Sequence, residues 1–243
     1  MYHGTWRLLA LRVGARGYGL RERSEQAVAV AVLGAYLSVF VAGIDFPGRG
    51  AFVAVSCTVA LLVRWWRMQR RERLAERLVP PGPPLPLRVA ARQVGWAYLS
   101  AVAVCFAGGA VLCATTFLSV GQSTGKHWYS PPLEVTLQTM ALAVGAGATA
   151  LVLGKALRSP VIAEDEASRL VDGVLRAEDV HRYTSCAVYA FFAVPVLMMD
   201  WQPSAPLEWT AWTYVAVVAA LELTGRLLVH RRHRRLPPGF YGR

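Results

Sequence analysis

The basic residues of this chain are sorted, and that sorting limits what it can fold into. Apolar blocks at about 26–44, 51–66, 94–118, 134–157, 183–199 and 207–229 leave 24 of the 26 Lys and Arg in alternate connecting segments. Five precede the first block, eight run from Arg64 to Arg92, five from Lys155 to Arg182, and six from Arg226 to Arg243. Only Arg49 and Lys126 fall in the loops between. If the blocks cross a bilayer, this is the excess of Lys and Arg that marks the cytoplasmic side. Hydrocarbon offers no partner to a backbone N–H or C=O, so such blocks must be helices. The expectation is an all-α, polytopic protein of the bacterial cytoplasmic (inner) membrane. Six transmembrane helices form three hairpins, with both termini cytoplasmic.

Composition agrees. A hydrophobic share of 55% is high for a soluble domain, and the apolar residues are blocked rather than spread. The charge-free run Gln26–Ile44 approaches the roughly 20 residues that a helix needs to cross about 30 Å of hydrocarbon. The net charge of +11 is accounted for by loops at membrane ends, so nucleic acid is not an expected partner. Arginine beside the anionic inner leaflet gains about 1 kcal/mol per residue. Lys126 and Lys155 are the only lysines, and with so much Ala, Val and Gly this points to a GC-rich bacterial genome. Segment 1–25 carries five arginines without an apolar core, which predicts an uncleaved signal-anchor in the first span rather than a cleavable leader. Cys57, Cys105, Cys113 and Cys186 all fall inside spans, so disulfides are not expected.

The connections have their own signals. Asp45–Gly50 reads as a tight outer turn. The second span is short; Arg64 can snorkel while Trp65 and Trp66 occupy the headgroup belt. It is expected to continue as a cytoplasmic helix over 67–78, until Pro80–Pro86 imposes a stiff extended linker. Pro195 should kink the fifth span. Arg231–Arg235 anchors the sixth, and 236–243 is a cytoplasmic tail. Spans four and six open alike, Pro132-Leu133-Glu134-Val135-Thr136 beside Pro206-Leu207-Glu208-Trp209-Thr210, as a duplicated hairpin would.

Several chemistries are disfavoured. All five histidines lie at span ends, in loops or in tails, where they cannot hold a haem between helices. No H-E-x-x-H and no phosphate-binding G-x-x-x-x-G-K-[ST] occurs. Gly121-Gln122-Ser123-Thr124-Gly125 matches G-x-S-x-G, but a nucleophile elbow needs a strand-to-helix turn and this copy joins two spans. The expectation is no enzyme, no cofactor and no metal site.

Intramembrane polar groups are the remaining leads, since burial in hydrocarbon is costly. Glu222 lies within the sixth span, with Arg226 one turn on and Lys155 at a comparable depth on span four. Gln138, Thr139 and Thr149 lie on span four, which is also rich in small residues that permit close packing or a homo-oligomer contact. A transporter predicts that these polar groups face one cavity; a scaffold predicts that neighbours satisfy them in a dry bundle.

The inner segment 163–182 has the best local signal. Acids at 164–166 suit a helix N-terminus after Pro160. Asp165–Arg169, Asp172–Arg176 and Glu178–Arg182 are acid-to-base pairs one turn apart, and Ala167, Leu170, Val171, Val174 and Leu175 make a narrow apolar stripe. This predicts a cytoplasmic amphipathic helix, with Asp165, Arg169, Asp172 and Arg176 as candidates for docking a soluble partner. The run from Glu164 to Val180 resembles a segment of uncharacterised multi-pass membrane proteins of high-GC actinobacteria, over about twenty residues. That resemblance implies a six-span membrane protein and no particular activity. The expected function is a transport-associated subunit, an ABC-type permease or its accessory, served by a cytoplasmic ATPase. The alternative is a non-transporting scaffold that organises lipid or envelope proteins.

Overall fold

A computed structural model describes residue 12 and residues 48–77, 82–120, 131–163, 166–193 and 205–234. Among them the chain is helical and contains no strand beyond one isolated bridge, Pro84 to Pro160. Helix α1 runs Arg49–Glu76 and α2 Leu87–Val94. Helix α3, Trp96–Ala103, passes through a π turn at Val104–Gly108 into α4, Gly109–Val120. Then come α5, Pro131–Arg158; α6, Glu166–Tyr183; α7, Cys186–Ala193; and α8, Ala205–His233.

Among the described residues four stretches are long and apolar enough to cross a membrane: Gly50–Arg73, Trp96–Ser119, Pro132–Arg158 and Pro206–Arg232. Only 28–33% of each apolar window is buried within the protein. The remainder presents side chains such as Phe52, Val111, Leu118, Met140, Leu151 and Leu227 outward. Water would penalise so large an apolar surface, and lipid does not. The fold is therefore compatible with an integral membrane protein. The expected first span, 26–44, lies outside the described residues, and the fifth is described over Cys186–Ala193.

The second span does continue into the basic segment as one helix, because no Gly or Pro follows Gly50 in its first turn before the helix ends at Glu76. The following proline-rich linker pairs with the chain after α5, Gly82 N–H donating to the Val161 carbonyl at 2.9 Å. The third span starts two residues later than expected. Gly95 adopts φ +100°, which an L side chain resists, and separates amphipathic α2 from apolar α3. In the π turn the Cys105 carbonyl, which also takes the Gly109 N–H, accepts the Tyr214 hydroxyl of α8 at 2.6 Å, so a cross-helix bond ties α8 to the turn. Helix α8 packs along α3 and α7, while α5 packs against α1, α4 and α7. The main core gathers Ala54, Ala101, Cys105, Leu142, Tyr189, Ala190 and Val218 among these helices.

Helix α6 is less superficial than its sequence implies. Val171, Leu175, Ala177 and Val180 are buried together with Asp172, Arg176 and Asp179, whereas Leu170, assigned above to the apolar stripe, is 64% exposed. Charged residues share the inward face, and Asp172 and Arg176 are held there by Arg12 and by the carbonyls at the end of α5.

Candidate functional site

Where α5 ends, four buried charges meet. Arg12, though drawn from the basic N-terminal segment, is 2% exposed. Its guanidinium reaches Glu72 of α1 at 2.9 Å and Asp172 of α6 at 2.7 Å, and donates to the Ile162 carbonyl at 3.2 Å. The second Asp172 oxygen takes Arg176 at 2.8 Å. Arg176 also donates to the carbonyls of Ser159 (2.6 Å), Ala156 (3.4 Å) and Pro160, capping the C-terminal end of α5. Two guanidinium groups thus balance two carboxylates. Buried ions of this kind are tolerated only when geometry and hydrogen bonds repay their desolvation. Beside them lies a small pocket of about 30 Å³, also lined by Lys155 and Asp179, with room for a water molecule.

A line of polar residues runs from this cluster along the inward face of α5. Thr149 is buried and its hydroxyl has no hydrogen-bond partner. About 16 Å further out, three turns along the same face, Gln138 is 0% exposed and neither its amide oxygen nor its nitrogen is bonded. One turn beyond, buried Glu134 accepts the Gly48 N–H at 2.7 Å, joining the N-terminal end of α5 to the start of α1. Between Gln138 and Thr149 the Tyr189 ring of α7 crosses α5 at Gly145. Its hydroxyl meets that of Thr58 on α1, which donates to the Ala54 carbonyl at 2.6 Å. Helices α1 and α7 pack against this face of α5, and the seam between the three helices carries these polar side chains interspersed with the apolar Ala141, Leu142 and Ala148.

The sequence-derived candidates divide. Gln138 and Thr149 lie in this seam, while Thr139 is turned outward and donates to the Val135 carbonyl. Glu222 lies elsewhere, between α8 and the α6–α7 break. It is 3% exposed, pairs with Arg226 at 2.5 Å, and accepts the Ser185 hydroxyl (3.2 Å) and the Ala187 N–H (2.7 Å). A carboxylate against the first N–H groups of α7 caps that helix. Lys155 makes no ion pair with Glu222 and lines the inner pocket instead. Asp172 and Arg176 are buried in the bundle, not on the surface where a docking role requires them. Of that set, Arg169 is exposed and Asp165 lies outside the described residues. Sequence reading missed Arg12, Glu72, Thr58 and Tyr189; nothing local distinguishes them from snorkelling arginines, a helical acid and core residues.

His181, near the inner end of α6, was read as a span-end residue and is instead buried. Its ring packs edge-on against Tyr98 of α3 at 4.5 Å, with Gly225 and Arg226 of α8 alongside. Neither nitrogen reaches a partner at hydrogen-bonding geometry. Burial pushes the imidazole from 6.5 down to about 4, against a smaller upward pull from the Val94 backbone, with Arg226 and Arg232 adding to the depression. Between these values the unfolded chain binds the proton and the folded one does not. Stability is therefore lost as pH falls below 6.5, by roughly 3 kcal/mol at pH 4 from this group. Thermal melts at pH 7.5 and 5 should converge in His181→Phe relative to wild type; parallel curves would remove His181 as the cause.

Among the described residues no group of three or more His, Cys, Asp and Glu is placed to hold a metal. No family model, curated protein or solved structure matches the chain.

Proposed function

We propose that the chain is a transport-associated subunit of the bacterial cytoplasmic membrane, with six spans and both termini inside. In this reading the seam between α1, α5 and α7 carries a proton or small cation. The observation that carries it is Gln138, wholly buried in a helix long and apolar enough to cross a membrane, with both ends of its amide unpaired. An unsatisfied buried polar group costs about 1–3 kcal/mol, and membrane interiors retain such groups mainly where ions or substrates pass. Glu134 stands at the outer end of the same face and the inner end opens on a water-sized pocket among charges. A soluble partner, an ATPase among the candidates, would meet the outer side of α6, where Arg169 and Leu170 are exposed.

The test is proton flux in liposomes. With the purified protein reconstituted and a pH-sensitive dye trapped inside, wild type is expected to dissipate an imposed gradient faster than protein-free vesicles. Gln138→Leu should slow this at least tenfold while raising thermal stability, since it removes the unsatisfied amide. Wild-type vesicles as tight as empty ones would overturn the transport reading. A scaffold has one observation in its favour: Glu222, the most conspicuous intramembrane acid, has bonding partners on both oxygens and leads nowhere.

A further inference from the structure

We infer that the inner end of α5 carries a binding groove for the phosphate headgroup of an anionic phospholipid. On the side away from the seam, Ala150, Leu151, Gly154, Lys155 and Arg158 line an open groove of about 440 Å³. A Cβ built on Gly154 meets nothing within 4 Å, so the floor is bare backbone over which an acyl chain can lie. Leu151, half exposed, forms an apolar wall toward the membrane interior. The span that supplies these residues ends at Arg158, which places the two cations at the boundary where headgroups sit.

Charge decides the occupant. Lys155 and Arg158 are three residues apart, so they project from neighbouring positions on one face. Both are exposed, and neither forms an ion pair with a carboxylate among the described residues. The C-terminal end of a helix normally repels anions through its unpaired carbonyls. Here Arg176 occupies the carbonyls of Ala156, Ser159 and Pro160 from the opposite side. The negative end of α5 is thereby quenched and the two cations face the groove uncompensated. An anionic headgroup above short acyl carbons matches this arrangement of charge over apolar floor, and a zwitterionic headgroup matches it less well. Each cation beside an anionic leaflet is worth about fivefold in affinity. Lys155, Ser159 and Pro160 border both this groove and the water-sized pocket, but Ala150, Leu151, Gly154 and Arg158 belong to the groove alone, and lipid binding there does not require that the protein transports.

The full-length protein in nanodiscs containing spin-labelled phosphatidylglycerol or phosphatidylcholine provides the test. Wild type is expected to immobilise phosphatidylglycerol preferentially. Lys155→Gln with Arg158→Gln should reduce that preference about 25-fold without lowering the melting temperature. Gly154→Leu keeps both charges but fills the floor, and should also expel the lipid. Equal retention of the two lipids by wild type, or unchanged preference in the double variant, overturns the inference. Displacement of phosphatidylglycerol by millimolar inorganic phosphate would overturn it in favour of a free-anion site. Crosslinked dimers that disappear in Gly154→Leu would overturn it in favour of a second copy of this chain.

Discussion

Asp172→Asn is expected to destabilise the protein by about 3–5 kcal/mol, the cost of removing one partner from a buried ion network. The carboxylate holds Arg12 with one oxygen and Arg176 with the other and is itself 1% exposed. The amide would take from Arg12 and Arg176 the carboxylate they share, leaving the buried cluster one negative charge short. For a chain of this size the melting temperature in detergent should fall by about 10 °C. Arg169→Gln, one turn earlier on the exposed side of α6, should stay within about 0.5 kcal/mol of wild type. The contrast separates the buried role from a docking role. If Asp172 serves a soluble partner from the surface, its loss costs no more than an exposed pair, at most about 1 kcal/mol. A drop of less than 2 °C would remove the network as a stabilising element. Replacing Arg12, Glu72, Asp172 and Arg176 together by Met, Leu, Leu and Met should recover much of the loss, because apolar residues of similar volume often substitute for a complete set of buried ions at little cost.

Gly145→Ala is the second large effect, and its direction opposes helix propensity. In an unobstructed helix interior Ala is favoured over Gly by about 1 kcal/mol. At Gly145 the added Cβ would lie 2.3 Å from Tyr189 Cε1 and 2.6 Å from Cζ, closer than van der Waals contact permits. The ring cannot simply swing away: its hydroxyl is engaged with Thr58, and its face packs against Phe106 at 5.6 Å between centroids. Overpacking costs about 1–3 kcal/mol, so the clash wins and the variant melts lower. Gly154→Ala, with open space around the new methyl, should do the opposite and gain up to about 1 kcal/mol. Tyr189→Ala should relieve the Gly145→Ala penalty in a double-mutant cycle, with coupling above 0.5 kcal/mol if the two side chains are in contact. Equal and positive effects of the two alanine substitutions would mean that α5 and α7 do not approach as described.

The apolar blocks were legible because a bilayer acts on each helix separately: length, hydropathy and flanking charge are local properties. Four of the six expected spans appear as long apolar helices, and α1 extends past its span as the unbroken sequence implies. The acid-to-base spacing of Asp172 and Arg176 also reads directly from the chain, since residues one turn apart share a face. Which face it would be was not legible. Leu170, expected to be inside, faces out, and two charged residues face in, because their partners come from residue 12, from α1 and from the end of α5. Likewise the polarity of Gln138 was visible in the sequence, but its lack of partners depends on what surrounds it. His181 looked like an ordinary span-end histidine until Tyr98 and α8 closed over it.

By itself, then, the sequence determined the class of object: long apolar helices compatible with a membrane, with positive charge gathered in alternate connecting segments. Solvent preference and backbone hydrogen bonding act over a turn or two and need no knowledge of neighbours. Only the tertiary structure decided which polar groups are paired, which are stranded and which lie exposed. Each of those outcomes depends on side chains brought together from distant parts of the chain, as Arg12 is with Glu72 and Asp172. No local pattern records such an encounter, because a charge is stabilised or stranded by the partner it finds and not by its place in the sequence.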